Sequence, residues 1–383
     1  MNSLERSGCD SELFFQRDPV PKIQELRDRY SRIIVCISVG TTESGRIGKM
    51  VERIRSSIGN DAILVAGGPH ATGSPRSTMR MGFDVVIRGE GEVVFPDVVD
   101  NILGRGRPLS GWPIVLGVPL EDLDTYPPVS FKHKLYPPIE ITRGCLFRCR
   151  YCSLPGCFGR IRHRSVESVL GAARRLVELR DRWDFRFISP NSLGYGSYGR
   201  RPNESMVGKL LRSVRGVPGK KRIFFSTFPS EARPDFVTPG MVKLVKEFAD
   251  NDRMSIGAQS GSERVLRMVR RGHGVKEVRD AVDSIIGADM VPAVDFILGF
   301  PGESECDQMK TLDFIHELVD RGCEVRVHHF LPLSGSELAG RRPSPVSPLV
   351  LSEIGRLTKE GKAAGAFSRQ RKLAMDIVRG GVD

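Results

Sequence analysis

The sequence predicts an α/β fold in two units, a doubly wound open sheet followed by six strand–helix repeats that curve into an incomplete barrel. Three observations predict it. Short apolar runs such as Arg32-Ile33-Ile34-Val35-Cys36-Ile37-Ser38 have the length and continuity of buried parallel strands. Stretches of helical period separate one run from the next. A segment dense in turn-formers, with Pro113, Pro119, Pro127, Pro128, Pro137 and Pro138, divides the alternation in two.

Residues 1–19 are polar, carry Cys9 and show no period, and are read as a poorly ordered lead-in. The first unit is read over 20–104. A helix from Pro21 to Tyr30 precedes the strand 32–38, and the turn Val39-Gly40-Thr41-Thr42 follows it. Next come a helix from Ser44 to Ile58, a strand from Ala62 to Ala66, the turn Gly67-Gly68-Pro69-His70, another helix, a strand from Asp84 to Ile87, and a helix from Glu92 to Ile102. The order is Rossmann-like. Ligands of such sheets sit beyond the carboxyl ends of the strands, where glycine lets the backbone approach closely. Ser38, Gly40, Gly67 and Gly68 stand at two such ends and are candidate ligand contacts.

Residues 105–136 read as a linker. The second unit, 137–335, opens with the strand Ile139–Thr142. Helices over 165–180, 203–215, 239–248, 262–270, 275–287 and 304–321 then alternate with strands Phe185–Pro190, Arg222–Thr227, Met254–Gln259, Ala293–Gly299 and Glu324–Phe330. Six parallel strands form a partial (β/α)6 barrel of the TIM type, whose sites are built by loops at the carboxyl ends of strands. Residues 336–383 read as an extension: a proline-rich turn, a helix from about 348 to 365, and a basic tail.

The chain is long enough for two such units, with 383 residues, 40% apolar and 27% charged. No segment supplies the 18 or more consecutive apolar residues of a spanning helix, and no apolar run follows Met1-Asn2-Ser3-Leu4-Glu5-Arg6, so a cytoplasmic protein without a membrane partner is expected. The net charge of +12 suits an anionic partner such as nucleic acid. The excess is scattered in patches such as Arg160-Ile161-Arg162-His163-Arg164 and Lys220-Lys221-Arg222, which read as solvated basic surface.

The chemistry centres on Thr142-Arg143-Gly144-Cys145-Leu146-Phe147-Arg148-Cys149-Arg150-Tyr151-Cys152, at the carboxyl end of the first barrel strand. Three thiols on one short loop suit three corners of an iron–sulfur cluster, which cysteine sulfur holds and which usually takes four ligands. Structural zinc is the competing reading, with Cys157 as a fourth ligand, although zinc knuckles come as two separated Cys pairs. Cys157 reads better as a loop thiol, and Cys306 and Cys323 as packing residues of a helix. His328 and His329 point to opposite faces of their strand, so at most one enters the barrel.

The Cys-x3-Cys-x-Tyr-Cys form resembles the signature of radical S-adenosylmethionine (SAM) enzymes. The resemblance implies that Cys145, Cys149 and Cys152 hold a 4Fe–4S cluster whose open iron binds the amino and carboxylate groups of SAM, with Tyr151 beside it. The runs Val65-Ala66-Gly67-Gly68-Pro69-His70-Ala71-Thr72 and Ile87-Arg88-Gly89-Glu90-Gly91-Glu92 resemble the second half of the cobalamin-binding domain that precedes many radical SAM modules. That implies cobalamin at Ser38, Gly40, Gly67 and Gly68. The first-strand motif is lacking: domains with a lower axial histidine carry Asp-x-His-x-x-Gly there, and the first histidine here is His70. Either cobalamin binds without a protein imidazole or the domain has lost it.

Polar residues recur at successive strand ends, as the resemblance requires. It implies SAM contacts from Asn191 in Ser189-Pro190-Asn191-Ser192, Ser226 in Ser226-Thr227, Gln259 in Gln259-Ser260-Gly261-Ser262-Glu263, and Gly299 in Gly299-Phe300-Pro301-Gly302-Glu303. Arg271 would pair with the SAM carboxylate or with solvent. Singly, Asn191 and Ser262 also read as turn or capping residues and Gln259 as a satisfied buried amide. The resemblance further implies a flavodoxin or ferredoxin as electron donor, cleavage of SAM to a 5'-deoxyadenosyl radical, and methylation of an unidentified substrate through cobalamin. The runner-up is a methylthiotransferase acting on tRNA or a ribosomal protein, which carries three further cysteines upstream where this chain has Cys9 and Cys36. A zinc-stabilised nucleic-acid-binding protein is the third reading.

Overall fold

The computed structural model describes residues 3–4, 11–14, 18–179 and 182–380. Most of the expected lead-in, Cys9 included, lies outside them. The first sheet is parallel, with Ile33–Ser38 (β1), Ala62–Gly67 (β2), Val85–Arg88 (β3) and Ile114–Leu116 (β4) in that spatial order. Leu64 and Ala66 pack on one face with Ile47, Val51 and Ile54 of helix Ser44–Ile58. Val65 packs on the other with Val98 and Ile102 of helix Phe95–Ile102. Apolar residues on both faces are what make these strands read as continuous apolar runs. β4 falls inside the expected linker and extends the sheet by pairing Val86 with Ile114 and Arg88 with Leu116. Three residues between Pro113 and Pro119 carry too little pattern to announce a strand.

The second unit is a curved parallel array. Ile139–Glu140 (β5) leads through Thr142–Arg143 (β6), which pairs antiparallel with Arg162–His163 (β7). β5 pairs with Arg182–Ile188 (β8), and β8 with Lys220–Phe224 (β9). Arg253–Gln259 (β10), Val291–Leu298 (β11), Glu324–His329 (β12) and Ala363–Ala364 (β13) follow in order. The segment after β9 joins the two sheets: Ala232 bridges Ile256 in parallel, and the Ser255 N–H donates to the Ser226 carbonyl at 2.7 Å. The outward side chains Phe185, Ile223, Ile256, Phe296 and Val327 enter one core with the surrounding helices. The partial barrel is thus the predicted one with a short edge strand added.

The helices begin where the sequence marks them. Ser165, Asn203, Thr238, Ser262 and Ser304 each accept a first-turn backbone N–H on the side chain. The C-terminal extension departs from expectation. Its helix stops at Lys359, β13 intervenes, and the basic tail is the helix Phe367–Gly380. Cys306 is exposed, which corrects its reading as a packing residue, whereas Cys323 is buried.

The two units meet at the carboxyl ends of β1–β3. Gly73 lies against Gly335 so closely that a Cβ there would stand 2.2 Å from the Gly335 nitrogen. Ser334 Oγ lies 2.9 Å from His70 Nδ1 and 3.1 Å from Ser74 Oγ. Glu90 accepts from Arg143 Nη1 at 2.8 Å and from both terminal nitrogens of Arg162. Arg162 and Arg164 are 6% and 3% exposed, so that patch is not solvated surface as read from sequence. Buried guanidiniums need such partners, and the partners come from distant sequence.

Candidate cluster and cofactor site

Local backbone geometry sets the cysteine loop. Gly144 has φ +77°, and a Cβ there would lie 2.0 Å from the Arg160 carbonyl oxygen, so only glycine fits. Beyond it the Cys152 N–H donates to the Cys149 carbonyl at 3.0 Å. Arg150 fastens the loop from both sides, its N–H donating to Val269 at 3.0 Å and its carbonyl accepting from the Leu338 N–H at 3.1 Å. Phe147 is clamped between the Arg233 guanidinium, 3.5 Å from its ring centroid, and the edge of Phe236.

Cys145, Cys149 and Cys152 line one cavity of about 910 Å³, together with Gly156, Arg162 and Gly335. Burial raises the Cys145 thiol and pushes Cys152 up to about 11, against backbone N–H groups of Phe147 and Leu154 that donate to these sulfurs. Arg271 Nη1 lies 3.7 Å from Cys149 Sγ. Each sulfur therefore has its own donor, an arrangement that favours the thiolates a metal requires and tunes a cluster through its sulfurs. Among the described residues no three His, Cys, Asp or Glu side chains converge as a single ion would need. A cluster takes one thiolate per iron, and three thiols lining one cavity match that donor set. Cys157 is buried in the short helix Leu154–Phe158 and does not line that cavity.

Arg271 organises the wall behind Cys149. Its Nη2 donates to the Gly257 carbonyl at 2.9 Å and its Nε to His273 Nε2 at 3.0 Å. Burial, with Arg271 and Arg233 beside it, holds His273 down at about 3, so the acceptor is a neutral imidazole. Tyr151 stacks at 5.4 Å on Phe300, and burial raises its phenol. Arg233 is buried, bonded through Nε and Nη2 to Asp235 at 3.0 Å, while its Nη1 has no partner. That orphan donor stands next to the cysteine loop.

Of the strand-end residues, Asn191 stands beside this loop, and Ser226, Gln259 and Gly299 are marked by their backbone. Asn191 Oδ1 accepts from the Arg233 N–H at 3.1 Å, and Asn191 shares a second small cavity with Cys145 and Phe147. Ser226 and Gln259 hold left-handed backbone, φ +55° and +73°, and Gly299 has φ +85°. Such conformations in non-glycine residues cost energy and collect at functional sites. Ser226 Oγ lies 2.7 Å from Ser192 Oγ. The Gly299 N–H donates to Glu303 Oε2 at 2.5 Å, and burial pushes the Glu303 carboxyl up to about 7. Ser262 caps its helix and donates to Asp307 at 2.6 Å, so the capping reading applies to it.

In the first unit, Ser38 stands opposite Gly67 in register at the ends of β1 and β2. A Cβ on Gly67 would meet nothing within 4 Å, and one on Gly40 only Glu43 at 3.6 Å, so both leave backbone open to a ligand. Gly68 does not: its Cβ would lie 2.7 Å from Ser38 Oγ, which makes this glycine a packing requirement. His70 is buried with Nδ1 on Ser334.

An α/β chain with a three-cysteine loop at the first strand end of a partial barrel defines a class of cluster-dependent protein. Residues 139–315 match the family model described as the radical SAM superfamily, and residues 2–99 match the B12 binding domain. The chain thus carries a radical SAM domain preceded by a B12-binding domain. Among curated proteins it is 30% identical over 231 residues to the tRNA-2-methylthio-N(6)-dimethylallyladenosine synthase of Ralstonia nicotianae, covering 58% of this chain and 48% of that protein. It is 26% identical over 336 residues to the threonylcarbamoyladenosine tRNA methylthiotransferase MtaB of Thermotoga maritima, covering 85% and 72%. It thus spans about half the length of the Ralstonia relative. Among solved structures, the radical SAM methyltransferase TsrM of Kitasatospora setae, with cobalamin and a 4Fe–4S cluster bound, superposes with a TM-score of 0.69 at 14% identity, over 90% of this chain and 75% of that one. The cobalamin-dependent radical enzyme OxsB superposes with a TM-score of 0.62 at 15% identity, over 89% and 49%. These likenesses show a shared fold.

Proposed function

We propose that this protein is a radical SAM enzyme that methylates a substrate with the help of cobalamin. The observation that carries the reading is the set of three desolvated thiols on one cavity wall, each with its own donor, beside the strained strand ends. When bound, the cluster supplies the electron that cleaves SAM to a 5'-deoxyadenosyl radical, and cobalamin supplies a carrier for the methyl group. Cys145, Cys149 and Cys152 hold the cluster, and Arg271 offsets its charge through Cys149. Asn191, Ser226, Gln259 and Gly299, with Tyr151, shape the pocket for SAM. Gly40 and Gly67, beside Ser38, leave backbone free for the corrin at the junction of the two units. The buried Arg143–Glu90–Arg162 group ties the two units together at that junction.

Supply of the electron by a flavodoxin or ferredoxin, and action in the cytoplasm, belong to the same proposal; among the described residues no helix is long and apolar enough to cross a membrane. A second reading, methylthiolation of tRNA or a ribosomal protein, draws on the names of the curated relatives. Anaerobic reconstitution with iron and sulfide analysis separates the two. About four irons per chain, 5'-deoxyadenosine on dithionite reduction, and retained hydroxocobalamin support the methyltransferase. About eight irons without cobalamin support the methylthiotransferase. Zinc without SAM cleavage would overturn both.

A further inference from the structure

The concave face of the barrel carries a charged group with no part in holding the cluster. Met254 and Ile256 of β10, Val294 and Phe296 of β11, and Val325 and Val327 of β12 enter the outer core. The period of two then turns Asp295, Arg326 and His328 inward. Barrel interiors are ordinarily filled with branched apolar side chains, so charges at these positions require a reason.

Asp295 is 3% exposed, and its Oδ2 accepts from Arg326 Nη2 at 2.6 Å. Among the described residues its Oδ1 makes no hydrogen bond of good geometry, although His328 Nε2 stands 3.4 Å away. The C-terminal helix orients that imidazole. Gln370 Oε1 accepts from the His329 N–H at 3.0 Å, so Gln370 Nε2 faces His328 Nδ1 at 3.3 Å and leaves the ring proton on Nε2. Glu231, from the segment that bridges β9 and β10, adds a second carboxylate 3.7 Å from the same Arg326 nitrogen. Two carboxylates thus share one guanidinium. Burial, with Asp295 beside it and within hydrogen-bonding reach, pushes Glu231 up to about 8, so that without a ligand Glu231 carries a proton.

The group is open to a ligand and close to the cysteine loop. The side chains of Glu231 and Arg326 remain 43% and 27% exposed. Gly257 is the register partner of Asp295 on the neighbouring strand, and its carbonyl is the one that Arg271 holds while reaching Cys149.

We infer that Glu231 and Asp295 form the seat for a cationic nitrogen of the substrate, an ammonium or a guanidinium. The inference rests on the radical SAM reading for its chemistry, because it gives the substrate a fixed point beside the cluster. A cation placed between the two groups meets Asp295 Oδ1 and releases the Glu231 proton to solvent, so that two carboxylates then face the ligand cation and Arg326.

Isothermal titration of the reconstituted, SAM-loaded protein with n-butylammonium, n-butanol and butyrate reads this preference without turnover. The amine is expected to bind, and the alcohol and the acid to give no heat. Glu231→Gln should weaken the amine at least about tenfold, and Asp295→Asn likewise. The Glu231 variant is the safer of the two because Arg326 keeps its Asp295 partner. Iron content and far-ultraviolet circular dichroism matched to the parent exclude loss of the fold. Absence of amine binding, equal binding of amine and alcohol, or an unchanged affinity in a folded Glu231→Gln protein would overturn the inference and leave a structural ion-pair group. Failure of the radical SAM reading shows separately, as a parent protein without iron or 5'-deoxyadenosine, and the titration remains readable on the protein as purified.

Discussion

Cys149 and Arg271 form the pair on which the candidate site turns. Replacing Cys149 by alanine removes one of three thiolates, so iron after reconstitution should fall from about four per chain to a small fraction of that. Iron analysis checks this. Arg271→Ala should keep the iron, since every thiol remains, but it removes the donor at 3.7 Å from Cys149 Sγ. Hydrogen bonds and positive charge near the sulfurs raise a cluster's potential. The variant's midpoint should move to more negative values in a redox titration followed by electron paramagnetic resonance, and its SAM cleavage should slow. Glu90 gives a stability test at the same scale. Burial alone would raise its carboxyl, but hydrogen bonds from Arg162 and Arg143 outweigh burial and hold it below the usual range. A carboxylate with a depressed folded value contributes stability above its unfolded pKa and loses it as pH falls through the folded one. Thermal midpoints should therefore decline more steeply below about pH 4 in the parent than in Glu90→Gln. At neutral pH the same change should cost about 3–5 kcal/mol, because it leaves a buried guanidinium without its charge partner.

Glycine positions separate what an element needs from what it tolerates. Gly73 follows the turn after β2 and packs on Gly335, where a Cβ would be 2.2 Å from a backbone nitrogen. Gly73→Ala must push the two units apart, and limited proteolysis should then cut near residue 335 faster than in the parent. Gly171 lies in the middle of helix Val166–Glu178 with nothing within 4 Å of a Cβ. There alanine should stabilise by about 0.5–1 kcal/mol, read as a rise in the urea midpoint. The capped helices and the apolar strands were legible in sequence because each carries its own period and its own start signal. β4 and β13 were not, since two or three residues hold no period and exist only because a neighbouring strand offers them a ladder.

For the whole molecule, the cluster cavity lies where the barrel's first strand end meets the loop at Ser334 and Gly335, which also touches the first unit. A ligand bound there stabilises both units by linkage. Chelating the iron should lower the thermal midpoint and increase proteolysis at the junction, with the apo protein still folded because only Cys149 of the three cluster cysteines is among the buried residues. A midpoint unchanged by chelation would overturn the linkage between cluster binding and the stability of the junction.

The sequence by itself determined the two α/β units, the order of their elements, the cysteine loop, and the polar character of each strand end. These are local properties, written as periods, caps and spacings. Only the tertiary structure decided which residues serve which partner. Arg162 looked like solvated surface and proved to be buried on Glu90, 72 positions away. Gly68 has a tertiary reason to be glycine, since a Cβ there would meet Ser38 Oγ at 2.7 Å, a reason that Gly40 and Gly67 lack. Asp295, Glu231 and Arg326 gave no sign of forming a group, because their meeting depends on strand register and on the inward turn of alternate side chains. Charge pairing inside a barrel is a matter of three-dimensional distance, and no period in one dimension encodes it.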